Sequence, residues 1–182
     1  MLELLDAVVA QMISGTYAFT NPVLTSATCE VQFEGHPPPV AGTAYVSVDE
    51  GGVSSAGESQ QFELAELHTV FVWCSVRISD TPIDRSRNLV ARLRESLQKL
   101  ERQAIKAIHG RQEVRAAANA LLASRTAGTG DFQTPLYYAG RSATEHKGPN
   151  WSNEDGKEIA GWLVRRLVFR GGLRIQYDNT LT

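Results

Sequence analysis

The stretch from residue 62 to residue 110 most constrains the fold, because it joins an alternating segment directly to one with helical periodicity. Residues 62–78 are rich in β-branched and aromatic side chains, which favour a strand. Successive side chains of a strand point to opposite faces. One face presents Val70, Val72, Cys74, Val76 and Ile78, and the other presents Thr69, Phe71, Trp73, Ser75 and Arg77. We predict a long strand with one face against a core.

The residues after this strand predict a long amphipathic helix. Asp80 and Pro82 are typical of a helix start, and His109 with Gly110 is typical of its end. Apolar side chains recur every three or four residues, namely Val90, Leu93, Leu97, Leu100, Ile105 and Ile108. Residues 112–123 resume the pattern, either as a second helix or as the continuation of a kinked one.

The remaining periodicities predict an α+β fold. Residues 2–14 form an amphipathic helix that ends at Gly15. Further strands are predicted at residues 28–34, 43–48, 136–139, 158–169 and 173–177. Gly171 and Gly172 predict a turn between the last two of these strands. Because strands and helices do not alternate regularly, we expect a mainly antiparallel sheet with the long helix packed on it. We expect one domain over residues 1–182, with mobile loops at about 49–60 and 140–157.

Charge and cysteine usage restrict the function only coarsely. The 182 residues carry a formal net charge of −2, so bulk charge does not favour a nucleic-acid or membrane-surface binder, although a local basic patch remains open. Cys29 and Cys74 lie in apolar runs and are expected to be buried free thiols. With neither a signal-peptide pattern nor an apolar run of about 18 residues, we expect a soluble, unexported protein.

The familiar catalytic and cofactor motifs are absent. The sequence has no dinucleotide-binding, P-loop, zinc-protease or nucleophile-elbow pattern, so we predict no cofactor. The four histidines lie in separate elements, and we predict no metal site. They are His36, His68, His109 and His146.

Two groups of polar residues leave alternatives open. The segment that contains Glu145, His146, Lys147, Trp151 and Asp155 is either a contact loop or the site of an uncharacterised enzyme. Near the C-terminus a group of arginines either contacts nucleic acid or belongs to a solvated or subunit-facing strand. Strand parity separates Arg165 from the other three, which are Arg166, Arg170 and Arg174.

The charges of the long helix also have two interpretations. They form either a solvent-exposed face with local ion pairs, such as Glu95 with Lys99 four residues later, or a charged seam between subunits. The helix carries Arg85, Arg87, Arg92, Arg94, Lys99 and Arg102 against Asp84, Glu95 and Glu101.

The chain resembles the tail-terminator and neck proteins of long-tailed bacteriophages. The resemblance lies in the leading helix, the strand at residues 70–78, the turn at 80–84 into a long helix, and the 148–151 loop before the 161–169 strand. It implies an α+β subunit that is not an enzyme and that forms a ring, expected to be a hexamer, capping the tail tube. DNA would pass through the lumen without sequence readout. A head–tail connector of the neck is the alternative role.

The resemblance further implies the partners and the location. The partners are other copies of the chain, the tail tube protein and the head-side connector, with no membrane, and the location is the virion after assembly in the host cytoplasm. We predict that subunit or partner contacts involve Arg85, Arg92, Glu95, Lys99, Arg102, Trp151, Arg166 and Arg170.

Overall fold

The computed structural model describes residues 1–32, 44–60, 63–78, 87–125, 130–147 and 161–176. The helices are α1 (Leu2–Ser14), α2 (Arg87–Ile108) and α3 (Gln112–Arg125). The strands are β1 (Cys29–Val31), β2 (Ala44–Gln60), β3 (Glu63–Arg77), β4 (Gly130–Phe132), β5 (Tyr137–Arg141), β6 (Glu145–Lys147) and β7 (Trp162–Gln176). No helix within these ranges has the length and apolar character needed to cross a membrane.

All the described strands belong to one sheet, in the order β1-β2-β3-β7. The three short strands β4, β5 and β6 follow one another along the remaining edge of β7. The pair β1 and β2 is parallel, whereas the other described pairs are antiparallel. The predicted α+β class with a mainly antiparallel sheet is therefore confirmed.

The sheet has two unlike faces, as the alternation in β3 predicts. On the face that we call the core face, buried side chains of β2, β3 and β7 join those of α1, α2 and α3 in the main hydrophobic core. The sheet contributes Val46, Val48, Val70, Val72, Cys74, Val76, Leu167 and Phe169 to it. The opposite face, which we call the outer face, carries a smaller cluster of Tyr45, Trp73, Trp162 and Val164.

Both predicted helical regions are present. The first helix has the predicted bounds, and Gly15 donates its backbone N–H to Gln11 O at 3.1 Å. The second region forms two helices, α2 and α3, rather than one kinked helix. Gly110 separates them with a φ of +68°, a left-handed conformation that glycine adopts without strain. Its N–H donates to Leu136 O at 2.8 Å, which ties this turn to the start of β5.

The prediction of a mobile loop at residues 49–60 is wrong, because these residues form the distal part of β2. They pair with β3 through three register irregularities, and bulges of this kind accommodate glycine and serine within a strand. Part of the expected 140–157 loop is also strand, since it contains the end of β5 and the whole of β6. The prolines at 37–39, the predicted turn at 80–84 and residues 148–157 lie outside the described residues.

The predicted turn at Gly171 and Gly172 is also wrong, because β7 runs through both residues and pairs with β3 from Trp162 to Gln176. The glycines permit a close crossing instead. A Cβ at Gly171 would lie 3.1 Å from Leu136 Cδ2 and 3.4 Å from the backbone oxygen of Pro135. The two glycines were therefore predicted to reverse the chain, whereas they permit the close approach of a neighbouring segment.

Candidate assembly surfaces

Helix α2 lies with one stripe of side chains against the core face. Leu97, Leu100, Ala104 and Ile108 are buried in the main core. They recur at three- and four-residue intervals, so they share one side of the helix. This packing fixes which side of α2 faces solvent.

The solvent-facing side of α2 carries most of the helix residues predicted as contacts. Its central line, which we call the α2 stripe, consists of Arg92, Glu95, Lys99, Arg102 and Lys106, all of which are exposed. The predicted ion pair is present, with Lys99 Nζ 3.2 Å from Glu95 Oε1. Both side chains are more than half exposed, so this pair adds little to stability.

Glu101 does not belong to the exposed charges, which corrects the interpretation from sequence. It is 2% exposed, and its carboxylate accepts hydrogen bonds from Arg165 Nη1 at 2.7 Å and Arg141 Nη1 at 2.9 Å. Arg165 also donates to Thr144 Oγ1. Glu101 follows Leu97 by four residues, so it falls on the buried stripe of the helix, and this spacing is the signal that sequence reasoning missed.

The outer face carries an arginine stacked on two aromatic rings. The Arg166 guanidinium lies 4.3 Å from the centroid of the Phe71 ring and 5.4 Å from that of Trp73. The two rings meet edge to face at 6.5 Å. Such contacts orient a cation and keep its aliphatic stem out of water. We call Phe71, Trp73 and Arg166 the outer cluster.

The guanidinium of Arg166 has no carboxylate partner among the described residues. Its Nε is buried and makes no hydrogen bond. Its backbone is well anchored, because its N–H donates to Ser142 Oγ at 3.2 Å and its carbonyl accepts from Ser142 N at 2.9 Å. A guanidinium held on two aromatic rings, with no carboxylate beside it among the described residues, can pair with an anion of another chain.

A tyrosine network lies at the β1 side of the outer face. Tyr45 is fully buried, and its hydroxyl donates to the Glu30 carboxylate and lies 3.1 Å from Gln32 Oε1. Burial raises the pKa of Tyr45 well above its ordinary value, and the Glu30 carboxylate adds to the rise. The phenol therefore stays protonated as a hydrogen-bond donor.

The structure divides the predicted contact residues between two sides of the sheet. Arg92, Glu95, Lys99 and Arg102 lie on α2, over the core face, as already described. Arg166 and the exposed Arg170 pair with Trp73 and Thr69 of β3, so they lie on the outer face. Arg85 and Trp151 lie outside the described residues.

Among the residues considered for catalysis, Glu145 alone has a described side chain, so the enzyme interpretation stays a prediction. Glu145 is an exposed residue of β6, His146 and Lys147 follow it in the same strand, and Asp155 is outside the described ranges. Within those ranges no group of three or more His, Cys, Asp or Glu side chains is placed to hold a metal ion.

The two cysteines are buried free thiols, as expected. Cys29 and Cys74 both pair with Val46, one from each side, so they are two strand spacings apart. That is about 10 Å, beyond the reach of a disulfide. Burial raises the pKa of both thiols, to about 12 for Cys29.

Comparison with known proteins gives a structural likeness and no match in sequence. No protein-family model matches the chain, and no curated protein matches it. A chain in a solved structure of the virion of a native gene transfer agent particle is 15% identical, over 97% of this chain and 91% of that chain, with a TM-score of 0.41. Likeness at this level does not define the function.

Proposed function

We propose that the chain is a structural subunit of a phage-like virion, acting as a tail terminator. In this role six copies form a ring that caps the tail tube and joins it to the head-side connector. The proposal assigns no catalytic step to the chain. The observation that carries it is the outer cluster, where Arg166 is held on Phe71 and Trp73 without an anionic partner from the described residues.

The composition of the outer cluster supports a protein contact. Aromatic residues and arginine are enriched where protein interfaces contribute most of their binding energy. The aromatic rings of Phe71 and Trp73 hold the guanidinium of Arg166 in one orientation before binding, so less side-chain entropy is lost when a partner docks. A carboxylate from the adjoining chain would supply the anionic partner that the guanidinium of Arg166 lacks among the described residues.

The restriction of the outer cluster to one side of the sheet supports closed assembly. A ring requires a heterologous contact, in which two different faces of the subunit meet. A face that carries a rigid aromatic and arginine anchor can dock on another side of the next copy, and repetition of this contact by a constant rotation closes the ring. In this arrangement Arg170, exposed beside the outer cluster, lies at the rim of the contact.

Deletion of the gene tests the proposed role and separates it from the alternative. Without a terminator the tail tube has no cap, so tails should differ in length and exceed the normal length. Without a connector or adaptor of the neck, tails of normal length should accumulate unattached to heads. Electron microscopy of the particles distinguishes these outcomes, and intact particles of normal form would overturn both roles.

A further inference from the structure

We propose that the α2 stripe is a docking surface for the phosphate backbone of duplex DNA, bound without regard to sequence. Among the described side chains of α2, five exposed ones are basic and one, Glu95, is acidic. Four of the basic ones, Arg92, Lys99, Arg102 and Lys106, belong to the stripe, and the fifth, Arg94, lies on another side of the helix. The whole chain has a formal net charge of −2, so this local positive charge opposes the bulk charge.

The arginines of the stripe, Arg92 and Arg102, have no ion-pair partner within the described part of the chain, whereas Lys99 pairs with Glu95. Arg165 and Arg141 share the buried Glu101, and Arg125 binds Asp6 at 3.0 Å. By contrast, the ion pair of the α2 stripe is the exposed one between Lys99 and Glu95. Arg165, Arg141 and Arg125 therefore have carboxylate partners, whereas the arginines of the stripe face solvent.

The geometry of the stripe suits a linear polyanion. Arg92, Lys99 and Lys106 are spaced by seven residues, which places them on one line with steps of about 10 Å, and Arg102 lies between the last two. The line extends for about 21 Å, a length over which duplex DNA presents about twelve phosphates. Contacts to phosphates need cations in register with the backbone but carry no sequence information.

The absence of apolar anchors favours DNA over an acidic protein as the occupant. Protein interfaces usually contain buried aromatic or aliphatic anchors. The large exposed hydrophobic side chains of the described residues lie elsewhere, at Leu2, Val23, Val53 and Tyr137. Electrostatic attraction and counterion release alone are sufficient to hold DNA.

The stripe is presented on a rigid support. The buried stripe of α2 and the ion pairs of Glu101 fix the helix to the sheet. The cations therefore need no rearrangement of the backbone to meet a ligand. The inference does not depend on ring formation, because a single subunit carries the complete stripe.

Fluorescence anisotropy with the full chain and two duplexes of unrelated sequence tests the inference. The wild type should bind both duplexes alike, and its affinity should fall steeply between about 50 and 200 mM salt. The double variant Arg92→Gln/Arg102→Gln should lose about tenfold in affinity at the lower salt, and its salt slope should decrease by about two. Light scattering of each sample gives the mass of the protein species, so that wild type and variant are compared at equal mass. A failure of ring formation is thereby detected separately from a loss of DNA binding.

A matched pair of acidic substitutions controls for bulk charge. Glu95→Gln removes the acid of the stripe and should tighten DNA binding by about threefold. Glu145→Gln removes the same charge from the exposed side chain on β6 and should leave the affinity unchanged. Equal gains from the two variants would overturn the proposal, as would failure of the wild type to bind duplex DNA at low salt. Binding of poly-glutamate without binding of DNA would overturn it in favour of an acidic protein partner.

Discussion

The Glu101 carboxylate lies 2.7 Å from the guanidinium of Arg165, which joins α2 to the central strand β7 in the interior of the protein. The next residue along β7, Arg166, points to the outer face and stacks on Phe71. Two adjacent arginines therefore serve opposite sides of the sheet, one in an internal ion pair and the other at a surface. The internal pair connects the helix that carries the α2 stripe to the strand that carries Arg166 of the outer cluster.

The first prediction concerns this internal pair. Glu101→Gln removes the carboxylate charge that neutralises Arg165 and Arg141, and leaves a mostly buried guanidinium unpaired. We expect the free energy of unfolding to fall by about 3 kcal/mol, as for other broken buried pairs. Urea denaturation followed by circular dichroism measures the change.

The exposed pair on the same helix supplies the control for this prediction. Glu95→Gln removes the partner of Lys99 at a site where both side chains are more than half exposed. This substitution should change the free energy of unfolding by no more than about 0.5 kcal/mol. Equal losses in the two variants would contradict the structural role assigned to Glu101.

The second prediction concerns the close crossing at β7. A Cβ at Gly171 would meet Leu136, which is 2% exposed and has no room to move aside. Gly171→Ala should therefore destabilise the protein by about 1 kcal/mol. Gly172→Ala meets its nearest atom, Thr134 Oγ1, at an ordinary 3.4 Å and should be neutral or slightly stabilising, because alanine lowers the entropy of the unfolded chain. If the order of the two variants in thermal unfolding were reversed, the crossing would not be the reason for these glycines.

The third prediction concerns the stability of the protein in alkali. Burial raises the pKa of Cys29 from its ordinary value of 9.0 to about 12, and the neighbouring Glu30 carboxylate adds to the rise. The unfolded chain therefore loses this proton at a lower pH than the folded chain. The stabilising contribution is complete below pH 9 and is lost as the pH rises towards 12, at up to about 1.4 kcal/mol per pH unit.

The difference between wild type and Cys29→Ala isolates this contribution from other groups that titrate in alkali. Urea denaturation at several pH values should give a shallower decline for the variant than for the wild type. Parallel declines would show that the thiol at residue 29 is not held protonated by burial.

The fourth prediction concerns the outer cluster. Arg166→Ala removes the guanidinium that lies over Phe71 and should lower the mass of the assembly in solution without unfolding the subunit, because its loss affects the outer face rather than the main core. Arg125→Ala, which breaks an exposed pair with Asp6, is the matched control and should assemble as the wild type does. Size-exclusion chromatography with light scattering measures both, and equal behaviour of the two variants would remove the cluster from the contact.

The sequence predicts the elements whose periodicity is strong. The apolar stripe of α1 and the alternation in β3 define their faces, because burial on one side imposes a regular spacing. Short strands such as β4 and β6 are not predictable in this way, since three residues hold no periodicity and their positions depend on the edge of β7. Gly171 was misread for a related reason, because a glycine required by a neighbouring segment looks the same in sequence as one required by a turn.

The candidate surfaces were predictable only in part. Strand parity correctly placed Arg165 and Arg166 on opposite faces of the sheet, and helical spacing correctly predicted the ion pair between Glu95 and Lys99. The aromatic support of Arg166 depends on the register between β3 and β7, which places it directly opposite Trp73 and which local sequence does not specify. The burial of Glu101 depends on a strand more than sixty residues later in the chain, although its spacing from Leu97 already indicated the side of the helix.

The measurement that tests the central claim most directly is the solution mass of the purified full chain, by light scattering after size exclusion, with electron microscopy of the same fraction. The account predicts a closed ring with a central opening, whose mass is an integral multiple, expected to be six, of the 19.9 kDa subunit. A monomer that persists at every protein concentration and also fails to join tail tubes would contradict the account.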